Sequence, residues 1–148
     1  MNKLKSKFLI LFVFLVLGIS RCSNATIPSL KNETTTEIKP IYDQSIIIIY
    51  RNENSGAGIP VILSIDNKYI GKISIKSYYR LVVAPGRHVV RSRSDNEAVF
   101  NLLTEKGKVY FIHQKVDMGF THDYVDLVQV GEEIGAIEIR ECQQLNLP

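Results

Sequence analysis

From Gln44 onward, apolar residues recur at every second position rather than every 3.6, which commits most of the chain to extended strands. The first strand is Ser45 to Arg51. Its Ile46-Ile47-Ile48-Ile49 block has no polar side, as in a central strand covered on both faces. Further strands follow at Val61 to Ile65, Tyr69 to Ile75, Tyr78 to Ala84, Arg87 to Ser94, Ala98 to Leu103, Val109 to Val116 and Tyr124 to Val130. Polar turns separate them. In the third strand, strict alternation puts Tyr69, Gly71, Ile73 and Ile75 on one face and Ile70, Lys72 and Ser74 on the other. Between the fourth and fifth, Pro85 presets φ and Gly86 supplies the positive φ of a type II turn, with His88 beyond them meeting loop backbone groups.

Gly131 to Arg140 reads two ways. Ile134 and Ile137 are spaced as in a helix, whereas Ile137 and Ile139 alternate as in a strand, and Gly135 weakens both patterns. The expectation is a short terminal helix. The fold class is therefore all-β: a single antiparallel β-sandwich of seven to eight strands with a short C-terminal helix, occupying residues 44–148. Those roughly 105 residues suffice for one apolar core without metal or disulfide support.

The amino terminus has a different character. Lys3, Lys5 and Lys7 precede an unbroken apolar run of twelve residues from Phe8 to Ile19, the pattern of an export signal. A helix of twelve residues rises only about 18 Å, against about 30 Å of hydrocarbon, so the run is a poor membrane span. Ile19-Ser20-Arg21-Cys22 resembles the bacterial lipobox, in which a cysteine sulfur receives diacylglycerol, although Arg21 stands where Gly, Ala or Ser is the rule. Cleavage after Ala25 is the competing fate, since Ser23 and Ala25 are both small. Residues 1–22 thus read as an export signal, lipoprotein-like or cleaved after Ala25. Residues 23–43, dominated by Asn, Thr, Ser, Glu, Lys and Pro, read as a disordered, flexible tether.

Charge follows the same division. Residues 1–21 hold four of the 18 basic residues and no acidic one, leaving 14 basic against 15 acidic residues, a net charge of −1. Nucleic acid is not an expected partner of such a chain. The densest basic patch is Arg87, His88, Arg91 and Arg93; Arg91 and Arg93 share one strand face, either solvated or in contact with an anion or a lipid headgroup.

Tyr50-Arg51, Gly71, the Pro85-Gly86-Arg87-His88 turn and Gly107-Lys108-Val109-Tyr110 together resemble bacterial envelope proteins of the family known as domain of unknown function 2846. The resemblance runs from about Gln44 to Cys142. It implies a small β-sandwich and a lipoprotein of the cell envelope, and it brings no catalytic residues with it.

Chemistry-bearing residues are sparse. His88, His113 and His122, with Asp117, Asp123 and Asp126 near the last, could serve a metal or a small hydrolase only if their strands brought them together. Otherwise each His is a local structural group. Cys142 lacks a motif linking it to a histidine base, and no phosphate loop, nucleophile elbow or paired-cysteine zinc signature occurs. No catalytic residue, metal or cofactor is expected. Tyr78 and Tyr79 must point to opposite sides, so one is exposed unless another layer covers it, and an exposed tyrosine beside Arg80 would suit a protein or glycan partner. The expected function is a non-enzymatic binding or structural module of the cell envelope or periplasm, joined to the membrane by lipid on Cys22 if acylated. Its further partner would be an envelope protein or a glycan.

Overall fold

The computed structural model describes residues 38–54, 58–59, 61–119 and 122–148. The export segment, Cys22 and the tether through residue 37 lie outside them. The strands are β1 (Ser45–Arg51), β2 (Val61–Ile65), β3 (Lys68–Ile73), β4 (Ser77–Val83), β5 (Gly86–Arg93), β6 (Glu97–Thr104), β7 (Val109–Met118) and β8 (Asp123–Val130). A helix α1 (Glu132–Glu138), a 3-10 turn (Ile139–Glu141) and a two-residue strand β9 (Gln143–Gln144) complete the chain. They form a five-stranded sheet, β8-β7-β1-β4-β9, and a four-stranded sheet, β3-β2-β5-β6. The fold is the expected all-β sandwich with a short C-terminal helix. Its pairings are mostly antiparallel, while β1–β7 and β4–β9 run parallel.

β1 sits at the centre of its sheet, paired with β4 and β7, and Ile46 to Ile49 have no exposed surface at all. Its residues split by parity. Ile47 and Ile49 point between the sheets and join Val61, Leu63, Val90, Ile112 and Val125 in the main core. Ile46, Ile48 and Tyr50 point outward and join Tyr78, Phe111 and Ile139 in a second apolar layer. Each fully buried isoleucine is worth about 1.5–3 kcal/mol, so this one strand anchors both layers. Gln114 on β7 donates to the Ser92 hydroxyl on β5, a buried polar link across the main core.

The C-terminal segment roofs that second layer. Gly135 of α1 lies so close to Phe111 that a Cβ would collide with the ring. The residue that weakens the helical pattern is thus the contact surface, and Ile134 and Ile137, whose spacing suggested the helix, are each 55% exposed. The same roof explains the tyrosine pair. Tyr79 lies in the main core and Tyr78 in the second layer, so both are buried and neither is available to a partner.

Strict alternation in β3 is corrected by the structure. The β2–β3 register shifts between Leu63 and Ser64, and Gly71 has φ +150, so Ile70 and Ile73 both reach the core while Tyr69 is exposed. A Cβ on Gly71 would strike the Tyr79 hydroxyl. Asp66 and Asn67 have φ of 51 and 63, the two positive values of a type I′ hairpin turn. Gly86 also has positive φ, at 145, wider than the roughly +80 of a type II turn.

The β8 edge is closed by side chains. Asp95 Oδ2 accepts from the Asp123 N–H at 3.1 Å, and Asn96 both accepts from the Val125 N–H at 2.7 Å and donates to its carbonyl at 2.9 Å. Asp126 Oδ1 takes the Leu127 N–H at 2.8 Å. These groups occupy hydrogen-bonding positions that an added strand would use.

Candidate functional site

The densest grouping of polar chemistry lies where β1 leaves its sheet. Tyr50 shares the outward parity of Ile46 and Ile48, and the parallel register sets it beside His113 of β7. Their rings stack with centroids 4.9 Å apart and planes 10° apart. The Tyr50 hydroxyl donates to Glu138 Oε2 on α1, and His113 Nε2 lies 2.9 Å from Glu53 Oε1. Glu53 Oε2 is 3.8 Å from the Arg51 guanidinium, which is fully buried. Cys142 completes the group, its sulfur 3.7 Å from the carbonyl oxygens of both Arg51 and Glu138, either of which can accept its S–H.

Protonation follows from these contacts. Burial, then the hydrogen bond and charge of Glu138, raises Tyr50 far above the usual phenol range and keeps it a donor. Burial alone would raise the Glu53 carboxyl, but the adjacent His113 ring and Arg51 guanidinium outweigh it and leave Glu53 below its ordinary value. Burial is also the main reason that the Cys142 thiol is pushed up to about 11. A nucleophilic cysteine needs the opposite shift, and this one is held as a neutral hydrogen-bond donor. The arrangement can clamp the roof to the sheet. It does not prime a sulfur for attack.

His88 lies elsewhere, on β5 of the four-stranded sheet. One ring nitrogen is 2.7 Å from Asp66 Oδ2 and the other 2.8 Å from the Ala84 carbonyl, while Asp66 Oδ1 accepts from the Val89 N–H at 2.9 Å. The ring thereby fastens the Asp66-Asn67 turn to the chain preceding Pro85 and Gly86. Burial disfavours the imidazolium, but the Asp66 and Ala84 bonds prevail and His88 stands above its ordinary value. For Asp66, burial opposes the bonds from His88 and Val89, which win and lower it. Beside the pair is an open groove of about 370 Å³ whose lining includes Ile65, Ile70, Leu81 and Leu147.

His88 and His113 therefore sit on different sheets with different carboxylate partners, and His122 lies in the segment between β7 and β8. Among the described residues, no group of three His, Cys, Asp or Glu could hold a metal ion. Tyr50, Glu53 and Glu138 escape sequence reasoning as a site, because it is the parallel β1–β7 register that unites Tyr50 with His113. The parity of Tyr50 with Ile46 and Ile48, and the Tyr50-Arg51 pair in the family resemblance, are signals that point to this end of β1.

The positions that carry the family resemblance acquire physical roles here. Gly71 makes room for the Tyr79 hydroxyl, and Gly86 and His88 shape one end of the sandwich. Gly107, at φ +73, lets its N–H reach the Gln44 carbonyl at 2.8 Å as the chain enters β7. No solved structure matches the chain. A Haemophilus influenzae protein described as uncharacterized is 29% identical over 120 residues, which span 79% of this chain and 71% of that protein. The model of the family described as Protein of unknown function (DUF2846) matches residues 42–126, from just before β1 into β8 and more than half of the chain, and the chain belongs to that family.

Proposed function

We propose that the chain is an exported protein of the cell envelope, held to a membrane through lipid on Cys22, whose sandwich binds a partner and performs no catalysis. The observation that carries this is the order of segments in the sequence: Lys3, Lys5 and Lys7, the apolar run Phe8 to Ile19, Cys22, then a polar tract before β1. Multiple acyl chains on one cysteine give stable anchoring where a single chain does not. Among the described residues, no helix is long and apolar enough to cross a membrane. A binding role is supported by the engagement of the reactive groups, with Cys142, His113 and His88 each occupied in holding segments together.

Intact-mass measurement on the protein taken from its native membrane tests the reading. The expected product begins at Cys22 and carries acyl mass that a Cys22→Ser variant lacks. A polypeptide beginning at Thr26 without added mass would overturn the anchor.

A further inference from the structure

The outer face of the four-stranded sheet has no counterpart of the α1 roof among the described residues. The strand registers align Lys72, Ile62, Arg93 and Glu97 in one row across it, and Arg91 with Val99 and Arg87 with Leu103 in others. The inward partners in β5, Val90 and Ser92, are buried, which fixes Arg87, Arg91 and Arg93 on the outside. Glu97 is the acidic residue of these rows, and it lies 3.4 Å from Arg91. No ion pair joins Lys72, Arg87 or Arg93 to another described residue. Between and beside the cations, Val99 is 46% and Leu103 64% exposed.

The opposite side is acidic. Glu132, Glu133 and Glu138 lie on α1 and Glu141 follows, with Arg140 and Lys76 beside them. Residues 38–148 contain 13 Lys and Arg and 13 Asp and Glu, so this part of the chain is formally neutral, with an excess of acid at α1 and an excess of base on the open sheet face. Two sheets packed about 10 Å apart with a helix about 10 Å beyond place the two signs roughly 20 Å from each other. That exceeds the Debye length of about 8 Å at physiological salt, so a charged surface meeting the basic face is largely screened from the acidic one.

We propose that the outer face of the four-stranded sheet docks on an anionic lipid bilayer. Lys72, Arg87, Arg91 and Arg93 meet headgroup phosphates, and Val99 and Leu103 enter the headgroup layer between them. This rests on the envelope reading only for access to a membrane. It names the bilayer itself as the partner of the sandwich, and it turns α1 away from the lipid.

The test uses the full chain carrying Cys22→Ser and Cys142→Ala, with an environment-sensitive fluorophore on Val99→Cys or, in a second preparation, on Glu133→Cys. Vesicles are equal parts phosphatidylglycerol and phosphatidylcholine, or phosphatidylcholine alone. The Val99 probe is expected to shift to the blue on the anionic vesicles only, and the Glu133 probe on neither. Each surface cation contributes about fivefold to binding, so Arg91→Glu with Arg93→Glu should lower affinity for the anionic vesicles at least tenfold and remove the shift. Lys72→Glu with Arg87→Glu should do the same without touching the Arg91–Glu97 pair, and circular dichroism checks that both variants fold. Equal response of the two probes, no Val99 shift on anionic vesicles, or a shift untouched by both charge reversals in folded protein would overturn the docking face. Vesicle binding through the amino terminus with a silent Val99 probe overturns docking and leaves the anchor reading standing. A Val99 shift with no acyl mass on native Cys22 does the reverse.

Discussion

The two sheets treat their outer faces differently. On the five-stranded sheet that face carries Ile46, Ile48, Tyr50, Tyr78 and Phe111 and is sealed by α1 and the 3-10 turn. On the four-stranded sheet it carries Lys72, Arg87, Arg91 and Arg93 with Val99 and Leu103 among them. Both begin from the same period-two pattern. A strand with both parities apolar demands a third layer, whereas one that alternates can leave its second face to water or to a partner. The residues after β8 supply the layer where it is demanded, through Gly135, Ala136, Ile139 and Cys142.

Substitution can break this contrast. The largest effect is expected in the sealed layer: Ile48→Ala should lose about 2–5 kcal/mol of unfolding free energy, whereas Val99→Ala on the open face should stay within about 0.5 kcal/mol. Urea titration of both variants decides it, and comparable losses would mean that the two faces are equally covered. Gly135→Ala comes next. Alanine gains about 1 kcal/mol in helix propensity, but its Cβ meets the Phe111 ring, and overpacking of that kind costs about 1–3 kcal/mol. A net loss in melting temperature is expected, and a gain would show that the roof is loosely seated. Tyr50→Phe removes the hydroxyl that holds Glu138, with an expected loss of about 1 kcal/mol and faster amide exchange confined to α1 and the 3-10 turn.

The smallest effect belongs to the Asp66–His88 clasp. His88 is raised from 6.5, so its contribution is complete below pH 6.5 and fades as pH climbs through the higher folded value. Asp66 is lowered from 3.8, so its contribution is complete above pH 3.8 and fades as pH falls through the lower folded value. The clasp is therefore fully engaged between about pH 4 and 6.5, and Asp66→Asn should flatten both slopes of melting temperature against pH. Because the Asp66 side chain is 42% exposed, the change should be modest. Unchanged slopes would leave the clasp without energetic weight.

Local periodicity made most of this legible. The bounds of β1 and β2 follow directly from apolar runs ended by turn residues, and the other long strands from the same rule to within a residue or two. The central place of β1 follows from its isoleucine block. What stayed hidden depends on partners distant in sequence. The exposure of Ile134 and Ile137 is set by which side of α1 fits over Phe111, and a glycine makes that fit. The bulge at Ile70 breaks the period of two within β3, and the space beside Gly71 is taken by the Tyr79 hydroxyl on another strand. β9 is only two residues long, too short for any period. The polar cluster is the extreme case, since Tyr50, His113 and Glu138 come from three elements joined by a parallel register and a helix docked on it.

That parallel register has a consequence for how the molecule assembles. Ile46 pairs with Val82 on one flank and with Val109 on the other, so the central strand waits for most of the polypeptide before both its neighbours exist. No hairpin can seed the second pairing, and contacts so remote in sequence slow the search for the native topology. A growing chain remains open, with four adjacent isoleucines unsheltered, until β7 emerges, an interval that suits capture by a chaperone.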